Sequence, residues 1–99
     1  MTNRYERNNL REKFLKDYKK LRNSGRRDMR KLKNVMDMLI DGEKLNPSHK
    51  DHALQGEMAK YRECHIEGNW LLIYRVDQNP DQTETMTFCA TDNHSNLFG

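Results

Sequence analysis

Four histidines in a chain of 99 residues are the side chains best suited to chemistry. Three of them lie near predicted turns: His52 in a loop ahead of the sheet, His65 near the end of a strand, and His94 just after the last strand. In an antiparallel meander these points can approach one sheet edge, so we expect His65 and His94 to face one cleft, with His52 entering from the loop. A free imidazole, with a pKa near ~6.5, can give or take a proton at neutral pH.

RNA cleavage is a reaction that such a group could perform. It needs a base to take the proton from a ribose 2′-hydroxyl, an acid to protonate the leaving 5′-oxygen, and positive charge or hydrogen-bond donors at the phosphate. It requires no metal ion. A single histidine is more often a surface or structural residue, so the cluster favours this chemistry without deciding it.

The two cysteines predict neither a metal site nor a nucleophile. Cys64 and His65 are adjacent on a predicted strand, so they point to opposite faces and cannot readily share a zinc ion. Cys64 falls with Ile66 on the apolar-facing set, which favours burial over the exposed, activated thiolate that a nucleophile needs. The sequence also lacks a CxxC pair, a glycine-rich phosphate loop and an acidic metal cluster. We therefore expect no metal and no cofactor.

The formal net charge of +3 is unevenly distributed along the chain. Residues 1–33 hold thirteen Lys/Arg against four Asp/Glu, a balance of +9, and residues 34–99 hold five against eleven, a balance of -6. A basic half suits an RNA backbone or an acidic protein partner, and its lysines, Lys16 and Lys20 among them, are candidate RNA contacts. A solvated helix face explains the same pattern equally well.

The elements that must position these residues are two helices and a small sheet. Both helices are predicted from apolar stripes with spacings of three and four, formed by Leu10, Phe14, Tyr18 and Leu21 and by Met29, Leu32, Met36, Leu39 and Ile40. Gly25 is well placed for a left-handed C-cap between them. Residues 43–60 are expected to be irregular, and period-two runs from Tyr61, from Trp70 to Val76 and from Thr83 to Thr91 predict strands.

We expect an α+β fold, with an N-terminal helical hairpin packed on an antiparallel sheet of three or four strands. The first few residues could add an edge strand, and residues 1–99 should form a single domain. No apolar stretch approaches the ~20 residues that cross a bilayer, and the polar, charged start of the chain does not resemble a signal peptide. A soluble, cytoplasmic protein without membrane contact is therefore expected.

Two aromatic residues, Trp70 and Phe98, have two interpretations each. Trp70 is either a core residue of the small sheet or a platform for a base. Phe98 lies too close to the end of the sequence for easy burial, which favours stacking on a base.

Three motifs resemble one known family. The runs KDHALQG at 50–56, YRECHIEGNWLLIY at 61–74 and NHSNLFG at 93–99 are similar, in order and spacing, to the YafQ branch of the RelE-like bacterial toxins. The resemblance covers about residues 8–99. It implies the RelE/ParE-like toxin fold and an mRNA interferase, which cuts translated mRNA in the ribosomal A site and leaves a 2′,3′-cyclic phosphate. It also implies a cognate antitoxin that holds the toxin inactive and joins it to operator DNA.

The same resemblance assigns roles by position. His52, His65 and His94 match the family's histidines, Glu63 matches an acidic position found in some relatives, and Trp70 and Phe98 match its aromatics. We expect His94 to be the general acid, and His65, helped by His52, to be the base or a phosphate ligand.

Two departures qualify this assignment. The family often has Asp where this chain has Asn69 and arginine where it has Ala90, so His65 or Glu63 would have to be the base. Arg62, Arg75 or a helix lysine would have to bind the phosphate. Two alternatives stay open: a ParE-type toxin that poisons DNA gyrase without cutting RNA, and a degenerate toxin that only stabilises its antitoxin on DNA.

Overall fold

The computed structural model describes residue 5 and residues 7–98. Strand β1 (Arg7–Leu10) leads into helices α1 (Glu12–Ser24) and α2 (Met29–Ile40). A connection with two short 3-10 turns contains strand β2 (His52–Ala53). Strands β3 (Arg62–Glu67), β4 (Trp70–Gln78) and β5 (Glu84–Asn93) follow, and helix α3 (His94–Phe98) directly succeeds β5.

Both predicted long helices are present, with their predicted boundary. Gly25 ends α1 in a left-handed conformation, φ 66°, and donates its N–H to Arg22 O. The Asp28 side chain caps α2 by accepting from Arg30 N at 3.1 Å. Leu10, predicted on the first helical stripe, lies in β1 instead and is exposed. The two helices lie over different strands, α1 over β5 and α2 over β3.

In the described part of the chain the sheet has five strands, in the order β1-β5-β4-β3-β2. The sheet is mixed rather than the predicted antiparallel sheet of three or four strands, because the suggested edge strand, β1, is present and pairs with β5 in parallel, from Arg7 opposite Thr85 to Leu10 opposite Phe88. Strand β1 leads directly into α1. The helices and strands that follow connect it to β5, so the parallel pair needs no separate crossover segment. The other pairings are antiparallel, as predicted, and give an α+β fold.

Two local features of the sheet were not predicted. His52 and Ala53 form β2 rather than a loop, and β2 pairs with β3 so that His52 lies opposite Glu63. In β5 the pairing shifts from Ala90 opposite Ile73 to Phe88 opposite Tyr74. Cys89 is therefore an extra residue, a β-bulge of the kind that bends a strand and re-aims its side chains.

The core lies between the sheet and the two long helices. Phe14 of α1 and Leu32 of α2 share one buried cluster with Trp70, Leu72 and Phe88 of the sheet. On the other face, Ile73, Cys89 and Ala90 are covered by Leu54, Tyr61 and Leu97. No helix in the described part of the chain is long and apolar enough to span a membrane.

Candidate active site

The candidate site lies on the sheet face that α1 and α2 leave uncovered, called here the site face. Its two rows of neighbouring side chains follow from the strand pairings and from the alternation of each strand. One row contains His52, Glu63, Ile73 and Ala90, and the other contains His65, Leu71 and Asp92. Glu63 and His65, two residues apart on β3, therefore point the same way.

Glu63 lies between two histidines. Its carboxylate oxygens are 3.8 Å from His52 Nε2 and 3.7 Å from His65 Nε2. These are ion-pair distances, too long for hydrogen bonds. Only 9% of the Glu63 side chain is exposed, against 51% for His52 and 27% for His65. A nearly buried negative charge thus faces two imidazoles that are open to solvent.

The other ring nitrogen of each imidazole has a backbone partner. His52 Nδ1 is 2.5 Å from Lys50 O, and His65 Nδ1 is 2.9 Å from Gly68 O. A carbonyl can only accept, so both Nδ1 atoms carry hydrogen in the neutral rings and both Nε2 atoms keep a lone pair. Each ring can therefore accept a proton at Nε2, and Glu63 is placed to stabilise the imidazolium that results.

His94 is connected to His65 through the turn between β3 and β4. The turn's Gly68 O accepts from His65, and its Asn69 Oδ1 accepts from His94 N at 3.2 Å. The His94 ring is exposed and packs against Phe98, with ring centroids 5.0 Å apart. Asn69 therefore positions the start of α3 through its amide oxygen, a bond that an aspartate could also accept.

The loop before β2 is fixed from the opposite side of the sheet. Tyr74, buried on the helix side, donates its hydroxyl to Asp51 Oδ1 at 2.6 Å, and Arg62 Nε donates to the same oxygen at 3.3 Å. Desolvation by burial, then the bond to Asp51, raises the pKa of Tyr74, so the hydroxyl remains a donor. Asp51 is thus anchored directly beside His52.

This arrangement corrects the prediction for Arg62. Its side chain lies on the helix side with Tyr74, where its guanidinium is paired with Asp51. A phosphate on the site face would be on the other side of the sheet. The sequence already indicated this position, because neighbouring residues of a strand, such as Arg62 and Glu63, point to opposite faces of the sheet.

Trp70 is also corrected. It is fully buried, and its indole N–H donates to Thr91 Oγ1 at 3.0 Å. A base cannot stack on a ring without exposed surface, so Trp70 is a core residue. Phe98, by contrast, is 41% exposed.

The remaining predicted RNA contacts lie around the site. Arg75 is on the site face and is held by Asp77 through bonds of 2.8 and 3.0 Å. On α1, Lys16 pairs with Glu12 at 3.3 Å and Lys20 reaches Asp92 at 3.7 Å. Both lysines remain exposed, and only Lys20 contacts a residue of the site face, Asp92.

Neither cysteine has the properties of a nucleophile. Burial is the first cause that raises the pKa of the Cys64 thiol to about 12, and burial also raises that of Cys89. Among the described residues, no group of three His, Cys, Asp or Glu side chains is placed to hold a metal ion.

Three residues that support or border the site were not indicated by any sequence pattern. Asp17, on α1, accepts from Thr91 N of β5 at 3.1 Å, where β1 no longer covers that strand. His49, the histidine without a predicted role, bonds through Nδ1 to His65 O at 2.6 Å. Arg11 borders a groove on the site face. Each depends on a tertiary contact that no periodicity encodes.

Comparison with known proteins shows the family of this chain. Residues 6–99 match the model of a family described as the bacterial toxin of a type II toxin–antitoxin system, YafQ. The mRNA interferase toxin YafQ of Escherichia coli (strain K12) is 38% identical over 81 residues, which cover 81% of this chain and 83% of that protein.

Solved structures give the same result. A copper-bound variant toxin from Helicobacter pylori has a TM-score of 0.82 and 35% identity, covering 93% of this chain and 98% of that one. YafQ in the E. coli DinJ–YafQ complex has a TM-score of 0.80 and 35% identity, covering 95% of this chain and 100% of that one. With the histidine and carboxylate groups in the fold of these toxins, the chain belongs to the YafQ family of type II toxin–antitoxin toxins.

Proposed function

We propose that this chain is an mRNA interferase, an endoribonuclease that cleaves translated mRNA at the ribosome with the histidines of the site face. The observation that carries the proposal is Glu63, nearly buried between His52 and His65, with its carboxylate oxygens 3.8 and 3.7 Å from their Nε2 atoms. The curated relative is named for the same activity. Neither alternative function, gyrase poison or degenerate toxin, is favoured by these relatives.

The proposed reaction is an attack by a ribose 2′-oxygen on the adjacent phosphorus. His65, assisted by His52, takes the 2′-hydroxyl proton on Nε2, and Glu63 stabilises the imidazolium. The new P–O2′ bond forms as the P–O5′ bond breaks. His94, protonated, gives its proton to the departing 5′-oxygen. The products are a 2′,3′-cyclic phosphate and a 5′-hydroxyl, and no metal ion takes part.

The charge distribution supports an RNA substrate held on a ribosome. Lys13 of α1 lines a groove on the site face, and Lys20 forms an ion pair with Asp92 of β5. Such a surface gives affinity for RNA that falls steeply with salt. The site of action is the cytoplasm, where translating ribosomes are found.

A cognate antitoxin is the proposed protein partner. The E. coli relative has been solved in a DinJ–YafQ toxin–antitoxin complex. An antitoxin would neutralise the basic surface and the site, and operator DNA would be reached only through the antitoxin complex.

The test is expression of the wild type and of His94→Ala, followed by primer extension on a translated message. Ser95→Ala is the matched control, since Ser95 is the exposed neighbour on α3. The proposal expects discrete cuts with the wild type and the control, and none with His94→Ala. Equal cutting by His94→Ala shows that the proposed acid is wrong, and DNA damage without cuts indicates a gyrase poison.

A further inference from the structure

A groove of about 220 Å³ lies on the site face, next to the row that contains His52 and Glu63. Its floor is formed by Ile73, Cys89 and Ala90, and Tyr61, Leu97 and Phe98 complete most of its lining. Ile73 and Ala90 belong to the same row as Glu63, so the groove continues directly from the candidate catalytic residues. The lining is aromatic and apolar, which suits a planar ring.

Positive charge is concentrated at this groove. The Arg11 guanidinium lies 5.9 Å from the centre of the Tyr61 ring, and that of Arg75 lies 5.6 Å from the same centre. Burial raises the pKa of Cys89 on the groove floor, and both arginines oppose that shift. Two cations therefore act on the space above Cys89.

The two arginines differ in whether their charge is already paired with a carboxylate. Arg75 is held by Asp77 through two hydrogen bonds, and Lys13, also at the groove, pairs with Asp17 at 3.1 Å. Among the side chains that the structure describes, those of Tyr5 and residues 8–98, no carboxylate pairs with Arg11. Its guanidinium is exposed, and no acceptor within that part of the chain occupies its five donors, which can therefore bind an anion.

The backbone of Arg11 is held in place, although its side chain has no carboxylate partner among the described residues. It is the N-cap residue of α1, without a side-chain capping bond, and its backbone N–H donates to Phe88 O at 3.0 Å. The backbone of β5 therefore holds Arg11 next to Cys89 and Ala90. Ala90 itself brings only a methyl group to the groove.

We propose that Arg11 is the phosphate-binding residue of this site, and that it holds the backbone of the RNA strand while a flanking base lies in the groove against Phe98. The inference rests on the proposed function for the identity of the strand. A guanidinium offers paired donors to phosphate oxygens, and an exposed aromatic ring stacks on any base. The groove combines both beside the residues that would cut the strand.

The test measures binding of a short single-stranded 2′-O-methyl RNA, which cannot undergo 2′-hydroxyl attack, by fluorescence anisotropy over a range of salt. Arg11→Gln should bind about tenfold more weakly, as expected for one lost charged hydrogen bond. Its salt slope should fall by about 0.7, the value for one phosphate contact on a single strand. Arg11→Lys keeps the charge and should retain the slope.

Arg26→Gln is the matched control, because Arg26 is an exposed arginine in the connection between α1 and α2. It should leave affinity and slope near the wild-type values. Adding Ala90→Arg to Arg11→Gln returns a guanidinium to the same groove and should restore binding, with circular dichroism to confirm folding. Wild-type binding by Arg11→Gln, or no binding by the wild type, overturns the proposal.

Cleavage assays on translating ribosomes separate this inference from the proposed function. If the wild type binds RNA through Arg11 but cuts no message, the proposed function fails and the phosphate site stands. If Arg11→Gln cuts as fast as the wild type at limiting ribosome concentration, the phosphate site fails and the proposed function stands.

Discussion

Replacing Glu63 with glutamine keeps the shape of the side chain and removes the charge between the two imidazoles. The carboxylate is 3.7 Å from His65 Nε2 and 3.8 Å from His52 Nε2. Two unit charges at such a distance attract by about 1 kcal/mol in a water-like medium and by about 4 kcal/mol near a protein surface. Glu63 is nearly buried but both rings are partly open to water, so we take about 2 kcal/mol.

That loss corresponds to a rate about 30-fold lower, if the imidazolium forms in the transition state. The assay is single-turnover cleavage of a message on purified ribosomes, which separates the chemical step from product release. Glu67→Gln is the control, because Glu67 lies on the same strand and its ion pair with Lys31 is half exposed. Wild-type cleavage rates for Glu63→Gln would refute the role of its charge. An equal loss of rate in Glu67→Gln would show that the loss does not depend on the position of Glu63 between the imidazoles.

Three further predictions concern how the site is supported. Tyr74→Phe removes a 2.6 Å bond to Asp51 and should cost about 2 kcal/mol of unfolding free energy, lowering Tm by about 10 °C in a thermal melt; an unchanged Tm would show that the bond does not hold the loop. The pKa of Cys64 is raised from 9.0 to about 12 by burial, so its contribution to stability is full below pH 9 and is lost as pH rises toward 12. Urea unfolding should therefore show a stability that declines between pH 9 and 10 in the wild type and less so in Cys64→Ala; parallel pH profiles would contradict this. Asn69→Ala removes the acceptor for His94 N, whereas Asn69→Asp keeps it, so cleavage should fall in the first variant and persist in the second; a gain of toxicity only in Asn69→Asp would mean that the natural chain is impaired.

Much of this architecture was predictable, because local patterns encode it. The stripes through Phe14 and Leu32 predicted α1 and α2, and Gly25 marked the boundary between them. Period-two alternation predicted β3 to β5 and placed Glu63 and His65 on one face. The same alternation placed Arg62 on the face opposite to Glu63, as observed, and this position argues against its predicted role as a phosphate ligand.

The rest depended on contacts between distant segments. An edge strand near the start of the chain was suggested, but β1 is mostly polar and has no alternation, so its parallel pairing with β5 could not be predicted. The bulge at Cys89 changes which residues of β5 face the groove, and a single sequence does not indicate it. Trp70 packs in the core between the sheet and the helices, and Thr91, 21 residues away, accepts its buried indole N–H. Arg11 became a candidate phosphate ligand only when its neighbours were known.

The central claim, that the histidines cut RNA through a ribose 2′-hydroxyl, is tested most directly by the substrate. A message with one 2′-deoxyribose at the mapped cleavage position is compared with the all-ribose message on the same ribosomes. The account predicts cleavage of the all-ribose message, ending in a 2′,3′-cyclic phosphate, and no cleavage at the deoxy position. Equal cleavage of both messages would contradict it.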